Sequence, residues 1–289
     1  MNNYKLIKNY RENDELRLSL NGLAKKTFGL DFEGWYRNGY WKDNYNPYSI
    51  VVDGRVVSNV SVNTIDIVWD GEVKHFIQLG TVMTDEAYRN KGLMKIIMKE
   101  IENDYKGVDG MYLYANDSVL NFYPKFGFKQ SSEYKYSKSV EITKQRSMKQ
   151  VPMADRQAWD KLVKIINKSV PCGRFEMTGN SGLIMFYITN FMQECVFYDK
   201  ALDVYVIAEP EDENLLIHNV FSEKPVKLDK VIEAFGSEIK HVELGFTPYD
   251  CEDYDCELIN EEDTTFFVKG KLLEGFENAK LMFPTLSHA

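Results

Sequence analysis

The sequence predicts an α/β protein whose first half is a mixed, mostly antiparallel sheet flanked by helices, with a second, smaller α/β unit after it. Two Asp-Gly turns, at residues 53–54 and 70–71, separate apolar runs and predict an antiparallel meander. The next run, residues 73–82, passes through a short polar turn into an amphipathic helix. A Lys-rich segment at 140–151, followed by Pro152, predicts a joint between the two units.

The first half is predicted to begin with a short strand at residues 4–7 and a helix that starts near Asn13 or Asp14 and ends at Gly29. An aromatic-rich helix or loop follows; its rings either line a pocket or belong to the core, and they are Phe32, Trp35, Tyr36, Tyr40 and Trp41. The later elements are predicted as strands at 48–52, 56–68, 73–82 and 111–115, a helix from Gly92 and a short helix at 118–122. The strand–helix–strand order there predicts a right-handed parallel crossover.

The second half repeats this order, which favours a diverged internal duplication. We place the two units at residues 1–142 and 150–289. The predicted elements are helices at 155–166, 182–192 and 228–235 and strands at 196–198, 204–208, 215–220, 241–244 and 265–268.

Composition narrows the classes of function. With 35 Lys and Arg against 44 Asp and Glu, the net charge of −9 argues against a nucleic-acid partner and is compatible with a cationic substrate. No apolar run reaches the roughly 18 residues that a membrane span needs, and the N-terminus lacks the apolar core of a secretory signal, so we expect a cytoplasmic protein. The four cysteines are scattered, and no His lies between Cys251 and Cys256 to complete a zinc pattern, so no metal is expected.

The turn before the third helix has the features of a phosphate-binding site. The first amide N–H groups of a helix that starts near Gly92 have no intrahelical partner, and the helix dipole adds partial positive charge there. Gly92 leaves room for phosphate oxygens, while Arg89 and Lys91 add full charges. The alternative is an ordinary turn with solvated basic side chains.

The corresponding turn of the second half, residues 222–226, has lost these features. It contains no glycine, and Glu223 and Pro225 take the place of open amides. We therefore expect no cofactor in the second half.

Two motifs in this order support a family resemblance. Residues 89–94, Arg-Asn-Lys-Gly-Leu-Met, match the pattern Arg/Gln-x-x-Gly-x-Gly/Ala except that Met94 replaces a small residue. Residues 116–128 are similar to an Asn-led helix that ends in Tyr-x-x-x-Gly-Phe. On these motifs, residues 4–135 resemble the GNAT superfamily of N-acetyltransferases. The chain also resembles the larger bacterial members that carry a C-terminal extension, here a degenerate GNAT-like half.

The resemblance implies transfer of an acetyl group from acetyl-CoA to an amine of a small molecule or peptide by direct attack. It assigns the pantetheine arm and the thioester oxygen to main-chain N–H groups of Val82, Met83 and Thr84. Asn116 is implied to bond the cofactor arm or a water between the strands; otherwise it caps the next helix. Tyr123 is implied to protonate the departing sulfur; otherwise it packs beside Phe126 and Phe128. The pyrophosphate is assigned to the amides of Arg89, Asn90, Lys91, Gly92, Leu93 and Met94.

The general base is not identified. The family often has a Glu on the strand where this chain has Gln78, and a lone His75 is more typical of surface or core, so we expect a water chain that leads to an acid elsewhere. An acceptor pocket is predicted near the aromatics of residues 32–41, and an exposed strand edge in the second half could support a homodimer.

Two other functions compete with this one. A non-catalytic acyl-CoA sensor or scaffold would explain the missing Glu. A nucleotide-phosphate transferase is disfavoured because the turn lacks the Gly-Lys-Ser/Thr ending of a P-loop.

Overall fold

Two mixed β-sheets form the frame of the computed structural model, which describes residues 4–288. The first half of the chain contributes β1 (Lys5–Ile7), α1 (Asp14–Phe28), α2 (Glu33–Arg37), β2 (Tyr45–Val52), β3 (Arg55–Trp69), β4 (Glu72–Thr84), α3 (Leu93–Asp104), β5 (Gly110–Ala115), β6 (Lys129–Gln130) and β7 (Tyr134–Ser139). The second half contributes β8 (Lys149–Gln150), α4 (Arg156–Ile166), β9 (Gly173–Thr178), α5 (Ser181–Asn190), β10 (Val196–Asp199), β11 (Val204–Glu211), β12 (Asn214–Phe221), α6 (Leu228–Glu233), β13 (His241–Leu244), β14 (Thr247–Pro248), β15 (Asp255–Leu258) and β16 (Thr265–Lys269).

The first sheet has the strand order β1-β2-β3-β4-β5-β16-β6, and β9 extends it along the far end of β3. The second sheet has the order β15-β7-β13-β12-β11-β10-β8. Each sheet contains one parallel pair, β4 with β5 and β12 with β13, and is otherwise antiparallel. The predicted fold class is therefore confirmed.

Helices cover both faces of the first sheet. Leu93, Ile97 and Ile101 of α3 pack on one face with side chains from β3 and β5. Apolar side chains of α1, α2, α4 and α5 form one continuous core with residues of both sheets on the other face. Among the described residues 4–288, no helix is long and apolar enough to cross a membrane.

The two halves exchange a strand. In the first sheet, β5 lies beside β16, which comes from the end of the chain. In the second sheet, β13 lies beside β7, which comes from the first half. Each half thus completes the other's sheet. The domain division at residues 142–150 stays a prediction, and strands cross it in both directions.

The predicted start and end of α1 are confirmed. The Asn13 side chain accepts a hydrogen bond from the Leu16 amide at 3.1 Å and caps α1. Gly29 ends the helix with φ +73°, a left-handed conformation that favours glycine.

The predicted short helix at residues 118–122 is wrong. The chain forms two 3₁₀ turns instead, Asp117–Val119 and Tyr123–Phe126. Pro124 has no amide hydrogen to donate, and Asp and Ser compete locally for the backbone, so a continuous α-helix is disfavoured.

The aromatic stretch belongs to the core, so the prediction that it lines an acceptor pocket is wrong. The rings of Trp35 and Phe186, from α2 and α5, lie 5.3 Å apart in an edge-to-face contact. Four side chains of the stretch are each only 3% exposed, and these are Phe32, Trp35, Tyr40 and Trp41.

The strand exchange predicts that residues 1–142 do not fold alone. This fragment lacks β16, so the β5 edge would be unpaired and the apolar surface under Phe267 would be open. We expect no cooperative thermal transition by circular dichroism, whereas the whole chain should show one. Co-expression with residues 143–289 should restore a soluble complex. Cooperative unfolding of the isolated fragment would contradict the prediction.

Candidate functional site

A groove of about 1120 Å³ opens where β4 and β5 separate. The two strands pair only from Phe76–Gly110 to Gln78–Tyr112, although β4 continues to Thr84 and β5 to Ala115. The structure brings every predicted site residue around this groove; they are Val82, Met83, Thr84, Arg89, Asn90, Lys91, Gly92, Leu93, Met94, Asn116 and Tyr123. Their roles in binding and catalysis stay predictions.

A bulge in β4 precedes the groove. The register with β3 shifts between Asn59 and Ser61, opposite Thr81, which has φ +48°. A β-branched residue rarely adopts this left-handed conformation, so its surroundings must hold it. The Asn59 amide nitrogen donates to the Thr81 carbonyl at 2.9 Å, and the Tyr45 hydroxyl lies 2.8 Å from the Thr81 hydroxyl.

Asn59 is the centre of a buried polar network. Its side chain is 0% exposed, its oxygen accepts from the Ser49 hydroxyl at 2.8 Å, and its nitrogen also donates to Ser61 at 3.0 Å. Since the Ser49 proton is used, the Tyr10 hydroxyl must be the donor in its 2.6 Å contact with Ser49. Burial raises the pKa of Tyr10 well above its ordinary value, which keeps this donor protonated.

The bulge leads into a segment with main-chain groups that face the groove. The Asp85 amide donates to the Val57 carbonyl at 2.9 Å. Because successive residues of a strand alternate, the Thr84 N–H and C=O lie on the side away from β3. The Arg89 side chain donates to that Thr84 carbonyl at 3.3 Å, consistent with this orientation.

The N-terminus of α3 faces the same groove without a side-chain cap. Gly92 has φ +75°, and a Cβ added there would meet nothing within 4 Å. Glycine is therefore favoured at position 92 by the positive φ and by the space that it leaves in the groove. Close packing against other protein atoms is not the reason. The first turn of α3 carries no acidic residue that would offset the helix dipole.

Basic side chains extend this positive surface along α3. The groove is lined by one acid, Glu102, and by the cations Arg89, Lys91, Lys95, Lys99 and Lys125. Lys95 and Lys99 are four residues apart and so share one face of α3, while Lys91 directly precedes the N-cap residue Gly92. Lys95 and Lys99 were not among the predicted site residues, although their four-residue spacing was the available signal.

Tyr123 lines the groove and packs against a ring from the second half. It is 4% exposed, and its ring centre is 5.8 Å from that of Phe267 on β16 and 6.2 Å from that of Phe128. The side chain is therefore packed beside Phe128 and also lines the groove, while its role as a proton donor stays a prediction. Burial raises the pKa of the phenol to about 12, so it stays protonated at neutral pH.

The structure gives different outcomes for three other polar residues considered in the sequence. Asn116 follows β5 and precedes the 3₁₀ turn Asp117–Val119, but its side chain makes no capping hydrogen bond there, so the capping interpretation is wrong. Gln78 is buried, and its Oε1 has no hydrogen-bond partner among residues 4–288. His75 is exposed and paired with Asp66 at 2.7 Å, which raises the pKa of its imidazole; it lies towards the opposite end of β4.

Comparison with known proteins agrees with this geometry. Residues 20–131 match the model of the acetyltransferase (GNAT) domain family. This part of the chain is therefore similar to a GNAT domain. A search of curated proteins finds no match.

Solved structures share the fold of nearly the entire chain. A probable N-acyltransferase from Enterococcus faecalis V583 has 15% identity and a TM-score of 0.58, covering 94% of this chain and 74% of that one. A GCN5-related N-acetyltransferase from Kribbella flavida has 15% identity and a TM-score of 0.57, covering 94% and 72%. Eis1 from Mycobacterium abscessus has 12% identity and a TM-score of 0.55, covering 92% and 73%. The two sheets are consistent with two GNAT-like halves.

The buried network predicts a large stability cost for Asn59→Ala. The change leaves the Thr81 carbonyl and the Ser49 and Ser61 hydroxyls without their partner inside the core. We expect a loss of about 2–3 kcal/mol in the free energy of unfolding, measured by urea denaturation. Asn63→Ala on the same strand is the control, because the Asn63 side-chain nitrogen has no partner among the described residues. Its loss should be clearly smaller; equal losses would contradict the role of the network.

Proposed function

We propose that this protein is an N-acetyltransferase that transfers an acetyl group from acetyl-CoA to an amine by direct attack. The match of residues 20–131 to the GNAT domain model supports acyl transfer as the general activity. One observation carries the finer proposal: a groove that brings together the Thr84 amide of β4, an uncapped helix N-terminus and a buried protonated tyrosine.

The groove has a donor suited to each part of the cosubstrate. The amides at the start of α3 and the Arg89 and Lys91 side chains would bind the pyrophosphate. Lys95 and Lys99 continue the same charge along the helix and suit the remaining phosphate. The Thr84 amide, which faces away from β3, would bond the pantetheine arm and polarise the thioester carbonyl.

Tyr123 would supply the proton that the departing thiolate needs. A phenol with a pKa of about 12 keeps its proton until sulfur develops charge. The same burial raises the basicity of a thiolate formed in the groove, which brings donor and acceptor closer in proton affinity. Gln78 cannot act as a base, so the amine would lose its proton through water to an acid of the surrounding loops.

A non-catalytic acyl-CoA sensor is the second candidate. It is favoured by Gln78, because this buried amide stands on the strand where the family often has Glu.

The first test of binding is Gly92→Glu. The new carboxylate would lie beside the bound pyrophosphate, and its residue would be strained at φ +75°. We expect acetyl-CoA affinity to fall about 100-fold or more, measured by calorimetry. Gly107→Glu is the matched control, because Gly107 is exposed beyond the other end of α3 and a Cβ there meets nothing within 4 Å. Undiminished uptake by the Gly92 variant would refute the proposed phosphate site.

Tyr123→Phe separates catalysis from sensing. Loss of the acid should lower kcat about 10²–10⁴-fold, while acetyl-CoA affinity changes little because the ring and its packing stay. The readouts are CoA release with a panel of amines and calorimetry on the same preparation. A parent protein that binds acetyl-CoA but acetylates no amine would favour the sensor instead.

A further inference from the structure

A second cleft, of about 400 Å³, lies on the other side of the end of β5. Its walls come from residues 130–133, from residues 258–265, which lead into β16, and from residues 282–288. We call it the acidic cleft. Three consecutive residues join it to the groove, since Asn116 and Ser118 line the groove and Asp117 lines the acidic cleft.

The charge of the acidic cleft is opposite to that of the groove. Among the described residues that line it there is no Lys or Arg. Its acids are Asp117, Glu133, Glu261, Glu262 and Asp263. A cleft with one sign of charge concentrates ligands of the other sign. The groove therefore suits an anionic cosubstrate, and the acidic cleft suits a cation.

Glu133 is a buried carboxyl group in this cleft. It is 6% exposed, and its Oε1 accepts from the Phe283 amide at 2.6 Å. Burial raises its pKa to about 8, and the charge of Glu261 adds to the rise. The carboxyl group is therefore largely protonated at neutral pH, because a buried carboxylate without a neighbouring cation is unfavourable. A bound ammonium group would favour the ionised form, and the proton would leave to solvent.

His288 gives an independent sign of a missing donor. Its Nε2 is buried and has no hydrogen-bond partner among residues 4–288. Burial lowers the pKa of the imidazole to about 4, so the ring is neutral and can accept a hydrogen bond from an ammonium N–H. The Tyr114 ring lies 4.2 Å from His288 and 5.4 Å from Phe266, which gives the cleft an aromatic floor for alkyl carbons and cations.

We propose that the acidic cleft binds the acceptor, and that the acceptor is a flexible amine with at least two positive charges. This inference rests on the proposed acetyltransferase function. Glu133 and His288 would hold one ammonium group, and the rim acids Glu261 and Glu262 would hold another. The acidic cleft meets the groove at residues 116–118, where an amino group of the acceptor would enter the groove.

The test uses spermidine as the polycation and butylamine as the matched monoamine, titrated by calorimetry into the full chain. Spermidine should bind at one site, at least 10-fold more tightly than butylamine. The double variant Glu261→Gln/Glu262→Gln should weaken spermidine binding about 10-fold and leave butylamine within 3-fold. Glu133→Gln, which keeps an oxygen for the Phe283 amide, should weaken spermidine similarly. Glu211→Gln/Asp212→Asn removes two exposed acids elsewhere and should change nothing.

Two further readouts separate this inference from the proposed function. Acetyl-CoA affinity should be unchanged in all cleft variants, and mass spectrometry should detect acetylated spermidine with the parent protein. Failure of the parent to bind acetyl-CoA would overturn the proposed function and with it the role of the cleft as an acceptor site, while spermidine binding weakened by the cleft variants would still show a polycation site. Absent spermidine binding, binding that the cleft variants do not weaken, or bound spermidine that is never acetylated would each overturn the acceptor assignment.

Discussion

The separation of β4 and β5 is the constraint on which the site depends. Two parallel strands that part leave main-chain donors and acceptors unpaired, which is unfavourable in a protein interior. Here β5 stays in the sheet because β16 pairs with its other edge up to Thr265–Ala115. On the other side, Asn59 and its hydrogen bonds fix the bulge at Thr81, so β4 cannot close onto β5. The groove is thus formed by the protein's own bonds before any ligand arrives, which lowers the entropy cost of binding.

The separation of charge between the groove and the acidic cleft follows from the same arrangement of strands. The face of the first sheet that carries α3 collects lysines and the positive end of that helix. The loops that lead into β16 collect acids on the other side of β5. Only the short turn after Ala115 lies between them. Two oppositely charged ligands could therefore approach the same point without competing for one surface.

Much of the first half follows from local signals. Asp-Gly turns, the Asn13 cap and the apolar spacing of α3 are short-range features, and each element they predict is present. The groove residues were predictable for the same reason, since one strand–turn–helix unit carries most of them. The 3₁₀ turns around Pro124 were not predicted, because the motif was interpreted as a helix and too little weight was given to Pro124, which has no amide hydrogen.

Contacts between residues that are far apart in the chain gave no comparable signal in the sequence. The pairing of β16 with β5, the place of β7 in the second sheet and the acidic cleft all depend on residues far apart in sequence. The rings of residues 32–41 were ambiguous because pocket and core positions have the same composition, and only packing against Phe186 decides between them.

The exchange of β7 and β16 also bears on biosynthesis. Ala115 pairs with Thr265, so 150 residues separate the partners. At roughly 5–20 residues per second, β5 would leave the ribosome about 8–30 s before its neighbour exists. During that interval the nascent first half exposes an apolar strand edge, which makes it a natural client for chaperones. The groove between β4 and β5 would then take its final form late in translation, as a property of the finished polypeptide rather than of its first half.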